Sequence, residues 1–147
     1  AGRHRPWPSR GVCGVRGARM SALVCIPCSF PPSVNRIWRA RTGAKGKPSF
    51  YLDRRYETWK RHFDNTIMAM VPRPKVLGRF DVSITLSDAK RRSNSDADNR
   101  VKVLLDALQR CAIIENDSLA ESVTVRWGTA PEGCLIVIYP LAKEAAA

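Results

Sequence analysis

The chain has 147 residues, the length of one domain, and 44% of them are apolar, which is enough for one core and too many for a disordered chain. Lys and Arg number 25 against 13 Asp and Glu, so the formal net charge is +12, and a field of that sign favours polyanionic partners. No run approaches the roughly 20 apolar residues of a membrane helix. The basic N-terminus lacks the apolar segment of a secretory signal, so we expect neither membrane association nor secretion.

The acidic residues are confined to the second part of the chain. Residues 1–52 carry ten basic residues and no acidic one, whereas the rest has 15 basic and 13 acidic residues. Residues 1–19 are rich in Arg, Gly and Pro and show no periodicity, and we interpret them as a basic, disordered extension or a start-site artefact. A nucleic-acid-binding arm is the alternative. Residues 20–147 are predicted to form a single domain.

The first half of that domain is predicted to contain one strand, one long loop and one helix. Residues 22–27 form a short apolar run typical of a buried strand. A polar, basic loop follows through residues 36–48, where Gly and Pro keep the backbone irregular. Asp53 is the predicted N-cap of a helix, because apolar side chains recur every three or four residues over 56–70. Pro72 ends this helix.

The second half is predicted to contain three strands and a second helix. Apolar and polar residues alternate over 80–87, which indicates a half-buried strand with one wet face. A polar loop over 88–95 precedes a helix over 98–111, and two strands follow at 123–127 and 135–139, which we expect to form a hairpin. The order β-α-β-α-β-β predicts an α/β (α+β) fold, a small mixed sheet of about four strands packed with two main helices.

The five cysteines are irregularly spaced. Cys25 and Cys28 form a C-x-x-C, but no second Cys or His pair follows at zinc-finger spacing. We therefore interpret the cysteines as small buried thiols of a reducing, cytoplasmic protein rather than as metal or redox groups.

The densest chemical signal is Ser95-Asp96-Ala97-Asp98-Asn99, where a basic loop meets the start of the second predicted helix. Residues two apart in an extended segment point the same way, so Asp96 and Asp98 can converge. The helix N-terminus favours their ionised form, and two converging carboxylates suit a hard divalent ion such as Mg²⁺. The alternative is that one Asp merely caps the helix.

Lys102 and Asp106 follow Asp98 at steps of four and share its helix face. A row of i,i+4 ion pairs explains this spacing, and so does a lysine that projects beside a bound metal and contacts a scissile phosphate. Asp117, in the loop after the helix, is either a third metal ligand or an ordinary turn residue. Spacing alone does not decide between these interpretations.

In this order, the residues resemble the RusA family of Holliday-junction resolvases (crossover junction endodeoxyribonucleases), which are common in phages and prophages. The similarity extends over roughly residues 21–139 and rests on four segments. These are Pro31-Pro32-Ser33-Val34-Asn35-Arg36, similar to the family's P-P-S-x-N-R; the basic Lys90-Arg91-Arg92; Asp96-Ala97-Asp98-Asn99 with Lys102 and Leu105-Asp106-Ala107-Leu108, similar to D-x-D-N-x-x-K-x-x-x-D-A-L; and Asn116-Asp117, similar to the final acidic pair.

The resemblance implies a homodimer that requires Mg²⁺, with Mn²⁺ as a substitute, and cuts four-way DNA junctions in recombination and repair. Asp96, Asp98 and Asp117 would be its metal-binding catalytic carboxylates, and Lys102 its catalytic lysine. One departure is Asn116, where many members have a second acid. Its carbonyl oxygen remains available, and we expect somewhat weaker metal affinity. We expect no small-molecule cofactor and a bacterial, phage or prophage origin.

The predicted reaction is hydrolysis of a DNA phosphodiester, in which the metal activates water and the Lys102 ammonium stabilises the transition state. Asn99 is expected to hold a carboxylate through a hydrogen bond. Carboxylates that face DNA require a basic rim, and the candidates for phosphate contact are Asn35, Arg36, Arg39, Lys90, Arg91 and Arg92. Two alternatives are left open: a non-catalytic basic nucleic-acid-binding module, in which the acids only cap and pair, and a broader nuclease of flaps and forks.

Overall fold

A four-stranded mixed sheet forms the centre of the computed structural model, which describes residues 23–142. The expectation of a basic extension over residues 1–19 lies outside the described residues. The elements follow in the order β1 (Val24–Cys28), β2 (Trp38–Thr42), β3 (Pro48–Leu52), α1 (Arg54–Met68), β4 (Phe80–Ser87), α2 (Asp98–Arg110), β5 (Ala120–Gly128) and β6 (Cys134–Pro140). The predicted α+β class, with two main helices and a four-stranded mixed sheet, is confirmed.

The sheet has the order β1-β6-β4-β5, so β4 is an inner strand. β4 pairs with β5 in parallel and with β6 antiparallel, because α2 carries the chain back to the starting end of the sheet before β5 begins. The predicted hairpin of the last two strands is therefore wrong, since β4 lies between them. The connection from β5 to β6 passes the end of β4, where the Ser87 N–H donates to the Gly133 carbonyl at 2.9 Å.

The core lies between one face of this sheet and the two helices. The alternate residues of β4, Phe80, Val82, Ile84 and Leu86, are at most 1% exposed, as the alternation predicts. The predicted wet face of β4 is wrong at Thr85 and Ser87, which are buried. The cause lies in the neighbouring strands, since Thr85 is flanked in register by Arg126 and Leu135, and Arg126 Nε donates to its hydroxyl at 3.3 Å.

The helices lie close to their predicted positions. Asp53 caps α1 as predicted, because its Oδ1 accepts the Arg55 N–H at 2.8 Å, and the helix ends before Pro72. α1 buries Trp59, Phe63 and Ile67, which recur at helical spacing. α2 buries Val103, Leu104, Leu105, Ala107 and Leu108. Within the described residues, neither helix is long and apolar enough to cross a membrane.

The segment predicted as a basic loop contains a β-hairpin, so that prediction is wrong. β2 and β3 pair antiparallel from Trp38↔Leu52 to Thr42↔Pro48. The turn between them uses left-handed backbone at Lys45 and Gly46, with φ of 67° and 71°. Every strand residue except the half-buried Leu52 is exposed. The alternation in these strands is only a few residues long, and Gly43, Gly46 and Pro48 interrupt the segment, which is why the sequence pattern indicated a loop.

Two of the cysteines are neighbours across the sheet. Cys28 lies opposite Cys134 in the β1 and β6 register, and both are buried, whereas Cys25 is half-buried. The hydrogen bond with Cys134, together with burial, raises the pKa of the Cys28 thiol. A raised thiol pKa disfavours the thiolate, and Cys28 packs within the buried core.

Candidate active site and nucleic-acid interface

A cleft of about 720 Å³ opens between residues 30–36, the bases of the hairpin and α1, and residues 89–100. Seven Lys and Arg side chains line it, against two Asp, and we call it the basic cleft. The fold brings all six predicted DNA-contacting residues to this cleft, together with Asp96 and Asn99. These six are Asn35, Arg36, Arg39, Lys90, Arg91 and Arg92.

The cations of the basic cleft differ in how much of their charge is available. Arg39 Nε lies 2.6 Å from Asp53 Oδ2. This hydrogen bond, together with a second one that Asp53 accepts from the Arg55 N–H, holds the pKa of Asp53 below its usual value. Arg36 and Arg92 have no carboxylate partner among residues 23–142. The positive potential of the cleft therefore comes mainly from the unpaired side chains rather than from Arg39.

A short turn presents the first of these groups. Ser33 Oγ accepts the Asn35 N–H at 3.4 Å and so caps the single 3₁₀ turn Val34–Arg36. The preceding segment packs against the turn before β6, where Gly133 has a φ of 119° and a Cβ would lie 2.4 Å from the Phe30 nitrogen. Only glycine permits that approach, and it fixes where the turn enters the cleft.

Alternating cations and aromatic rings support one wall of the basic cleft, which Phe30, Arg91 and Arg100 line. The Arg91 guanidinium lies over the Trp127 ring at 5.3 Å, the Trp127 ring stacks on Phe30 at 6.0 Å, and the Arg100 guanidinium lies over Phe30 at 4.5 Å. Arg100 also donates to the Pro31 carbonyl, and burial lowers its pKa. This wall joins β5, the start of α2 and the segment before the 3₁₀ turn.

The predicted phosphate contacts leave out two cations of this cleft, Arg55, whose charge on the outer face of α1 is typical of a solvated helix, and Arg100. The available signal was the presence of Arg100 directly after the Asp-x-Asp-Asn motif, within the first turn of a helix whose later turns are apolar. No spacing rule singles out Arg55, which reaches the cleft because α1 begins beside the hairpin base.

The acids at the start of α2 are exposed and have no capping role. Ala97 is the N-cap residue, without a side-chain hydrogen bond, so the capping interpretation of Asp96 and Asp98 is wrong. Asp96 Oδ2 accepts from Asn99 Nδ2 at 3.1 Å, a contact of the kind expected for Asn99. Both carboxylates face solvent next to the basic cleft, in the field of the helix N-terminus.

Lys102 is held between two carboxylates further along α2. Its Nζ lies 2.8 Å from Asp106 Oδ1 and 2.8 Å from Asp117 Oδ2. The Asp106 and Asp117 carboxylates raise the pKa of Lys102, and Lys102 in turn lowers the pKa of Asp117. The loop after α2 thus returns beside the helix, and Asp117 is more than an ordinary turn residue.

The backbone around Asp117 explains its placement. Its N–H donates to Gln109 Oε1 at 3.0 Å, which ties the loop to the last turns of α2. Asn116 Oδ1 accepts the Ser118 N–H at 2.9 Å and caps the 3₁₀ turn Asp117–Leu119. The Asn116 carbonyl oxygen is therefore engaged in a local hydrogen bond.

The donor chemistry of Asp96, Asp98 and Asp117 fits a hard ion such as Mg²⁺, since all three offer carboxylate oxygens. They are not drawn together here, because within residues 23–142 no three His, Cys, Asp or Glu side chains form a group that could hold a metal ion. Asp117 is paired with Lys102 and Asp96 with Asn99. A site shared by all three requires Asp117 and the two acids at the start of α2 to approach one another, and a carboxylate with one oxygen on Lys102 can still offer the other oxygen to an ion.

Comparison with known proteins agrees with this description. The family model described as Endodeoxyribonuclease RusA matches residues 29–138, which is most of the chain and includes the basic cleft, α2 and Asp117. No curated protein matches the chain. The family match confirms the resemblance seen in the sequence motifs, and the chain belongs to the RusA family of endodeoxyribonucleases.

Proposed function

We propose that the protein is a metal-dependent endonuclease that hydrolyses phosphodiesters of branched DNA, with four-way junctions as its substrate in recombination and repair. The observation that carries the proposal is the basic cleft at the start of α2, because its unpaired cations lie beside the exposed carboxylate of Asp96, two residues before the exposed Asp98. Cations hold phosphates, whereas clustered carboxylates repel them unless a metal ion intervenes. Membership of an endodeoxyribonuclease family supports the same conclusion.

Asp96, Asp98 and Asp117 are the proposed ligands of Mg²⁺, for which Mn²⁺ would substitute. When bound, the ion supplies a Lewis acid that lowers the pKa of a coordinated water and stabilises charge on the phosphoryl oxygens. Asn99 contributes by holding Asp96 in one orientation through its 3.1 Å hydrogen bond.

Lys102 contributes a fixed positive charge to the same site. Its raised pKa keeps it an ammonium group at any pH where DNA is stable, and such a charge stabilises the extra negative charge of the transition state. Asp106 holds Lys102 from the side away from the basic cleft, one helical turn further along α2. The lysine therefore stays in place when Asp117 turns to the metal.

A homodimer completes the proposal, because a four-way junction has approximate two-fold symmetry. Two copies related by a two-fold axis place equivalent sites on equivalent strands, and paired symmetric nicks follow. The cations of each basic cleft then hold the phosphates of the strand to be cut.

The test uses a labelled synthetic four-way junction, incubated with the wild type or Asp98→Asn in Mg²⁺ or EDTA. Linear products from the wild type in Mg²⁺ alone support the proposal. Asp88→Asn is the matched control, since Asp88 is an exposed acid outside the cleft lining, and it should cleave like the wild type. If the wild type and both variants bind the junction but none cleaves it, the protein is a non-catalytic binding module. If forks and flaps are cleaved as fast as the junction at matched salt, it is a broader nuclease.

A further inference from the structure

The β2–β3 hairpin has two chemically different faces. Residues opposite each other in an antiparallel pair share a face, and the next pair along points the other way. One face carries aromatic and aliphatic side chains, and the other carries two arginines. The register places Trp38↔Leu52 and Ala40↔Phe50 on the first face, and Arg39↔Tyr51 and Arg41↔Ser49 on the second.

The aromatic face is uncovered. Trp38 is 63% exposed and Phe50 is 68% exposed. Within the described part of the chain, neither ring stacks on another ring or on a cation. Two large aromatic side chains on one exposed face are unusual unless a partner covers them, so this face marks an interaction site.

The positions of the two residues on the hairpin indicate what their rings can accept. Trp38 and Phe50 are diagonal neighbours on the hairpin, because Trp38 pairs with Leu52 and Phe50 lies two residues before it. Diagonal neighbours are about 7–8 Å apart. A flat base stacked between two rings needs a contact of about 3.5 Å on each side, and this total matches the separation of the two backbone positions that carry Trp38 and Phe50.

We propose that Trp38 and Phe50 form an aromatic slot that takes one unpaired base of branched DNA. The inference rests on the proposed function and extends it to how a branch is recognised. Charge favours DNA over a second copy of the chain, because the hairpin carries four Lys and Arg residues and no acid. The same hairpin of another copy would bring like charges, whereas a nucleic acid brings phosphates.

The position of the hairpin explains why the slot selects a branch. Arg39, on the second face, lines the basic cleft, while Trp38 and Phe50 are absent from its lining and face the opposite way. DNA held in the cleft and a base held in the slot therefore lie on opposite sides of the hairpin. Base pairs inside a linear duplex are stacked on both sides, whereas pairs at a branch point lose continuous stacking and open at lower cost, so a base freed there can enter the slot.

The experiment measures binding in EDTA, so that its outcome does not depend on cleavage. Trp38→Ala, Phe50→Ala and the double variant are compared with the wild type on a four-way junction and on a linear duplex, with 2-aminopurine at the branch point. Each single variant should bind the junction roughly tenfold more weakly, as expected for one lost stacking contact, and bind the duplex unchanged. Stacking in the slot should quench 2-aminopurine at the branch point of the junction with the wild type, and this quenching should be lost in the variants.

Two control variants separate stacking from other effects. Trp38→Phe keeps an aromatic ring and should retain most of the junction affinity, whereas Leu77→Ala removes a side chain that is 64% exposed outside the hairpin and should change nothing. Equal losses on junction and duplex, unchanged junction affinity, or a dimer that becomes a monomer in Trp38→Ala would each overturn the slot.

The slot and the nuclease fail separately. If the wild type cuts junctions and the slot variants bind them as tightly as the wild type does, the slot is wrong and the nuclease proposal stands. If the wild type cuts no DNA and Trp38→Ala loses the preference for junctions, the slot stands and the protein is a non-catalytic binder.

Discussion

Both helices begin beside aspartates, but the surroundings of these aspartates differ. At the start of α1, Asp53 accepts the Arg55 N–H at 2.8 Å and the Arg39 guanidinium at 2.6 Å, and the residue is buried. At the start of α2, Asp96 and Asp98 are exposed and accept no capping N–H. The comparison teaches that an aspartate at a helix N-terminus becomes a candidate for chemistry when its oxygens are not already engaged by the fold.

Exchange of Asp96 for Asn should have the largest effect on cleavage. We expect the rate of junction cleavage to fall more than about 100-fold, because residues that merely support metal ligands already account for 10–100-fold, while the melting temperature stays unchanged. Gel assays of a labelled junction and a thermal melt measure the two quantities. Asp53→Asn is the counterpart at the start of α1. If that variant is fully folded and loses as much cleavage as Asp96→Asn, the two aspartates do not differ in the way proposed.

Replacement of Lys102 by Met should lower the cleavage rate about 100-fold, the size typical for removal of one preorganised group that stabilises transition-state charge. Binding of the junction in EDTA should change little, because Lys102 does not line the basic cleft. Lys75→Met, at an exposed position outside the cleft, is the control and should cleave normally. A normal rate in Lys102→Met would remove the lysine from the mechanism.

Truncation of Asp53 to Ala should lower the melting temperature by several degrees, because it removes both the helix cap and the partner of Arg39. The Arg39 hydrogen bond holds the folded-state pKa of Asp53 below the value of about 3.9 in unfolded chains. The stabilisation is therefore present above pH 4 and is lost as the pH falls through the folded pKa. Melts of wild type and variant between pH 7 and pH 3 should converge at the acid end, and Asp96→Ala should follow the wild type throughout.

The smallest effect concerns the salt dependence of DNA binding. Each phosphate contact removed lowers the slope of log affinity against log salt by about 0.9. Arg36→Ala should show that change, whereas Arg39→Ala should show less because Asp53 already offsets its charge. Titrations in EDTA at several salt concentrations give the slopes, and identical slopes for both variants would mean that the ion pair opens when DNA binds.

The sequence predicted the helices and strands better than it predicted which strands pair in the sheet. Both helices and β4 follow from periodicity and β1 follows from a short apolar run, because each places apolar side chains in the core. Strand pairing depends on the path between strands, and the helix connecting β4 to β5 indicates a parallel pair that leaves β6 to the other side of β4. Alternation within β5 and β6 contains no such information.

In the candidate site, contacts within α2 follow from the sequence, whereas the contact between α2 and the following loop does not. The contact of Asp96 with Asn99 follows from a spacing of three residues, and the pair of Lys102 with Asp106 follows from a spacing of four. The approach of Asp117 to Lys102 does not, because it depends on a single 3₁₀ turn and on the tether to Gln109. Such contacts belong to tertiary packing and leave no periodic trace in the sequence.

The helical repeat of α2 sets the spacing of the acids and the lysine in the candidate site. Asp98, Lys102 and Asp106 recur every four residues, so they stand about 6 Å apart along one side of the helix. Deletion of a single residue between Asp98 and Lys102 would turn everything upstream by about 100° relative to the lysine. An insertion or deletion within the first turns of α2 would therefore misalign the acids and the lysine at once.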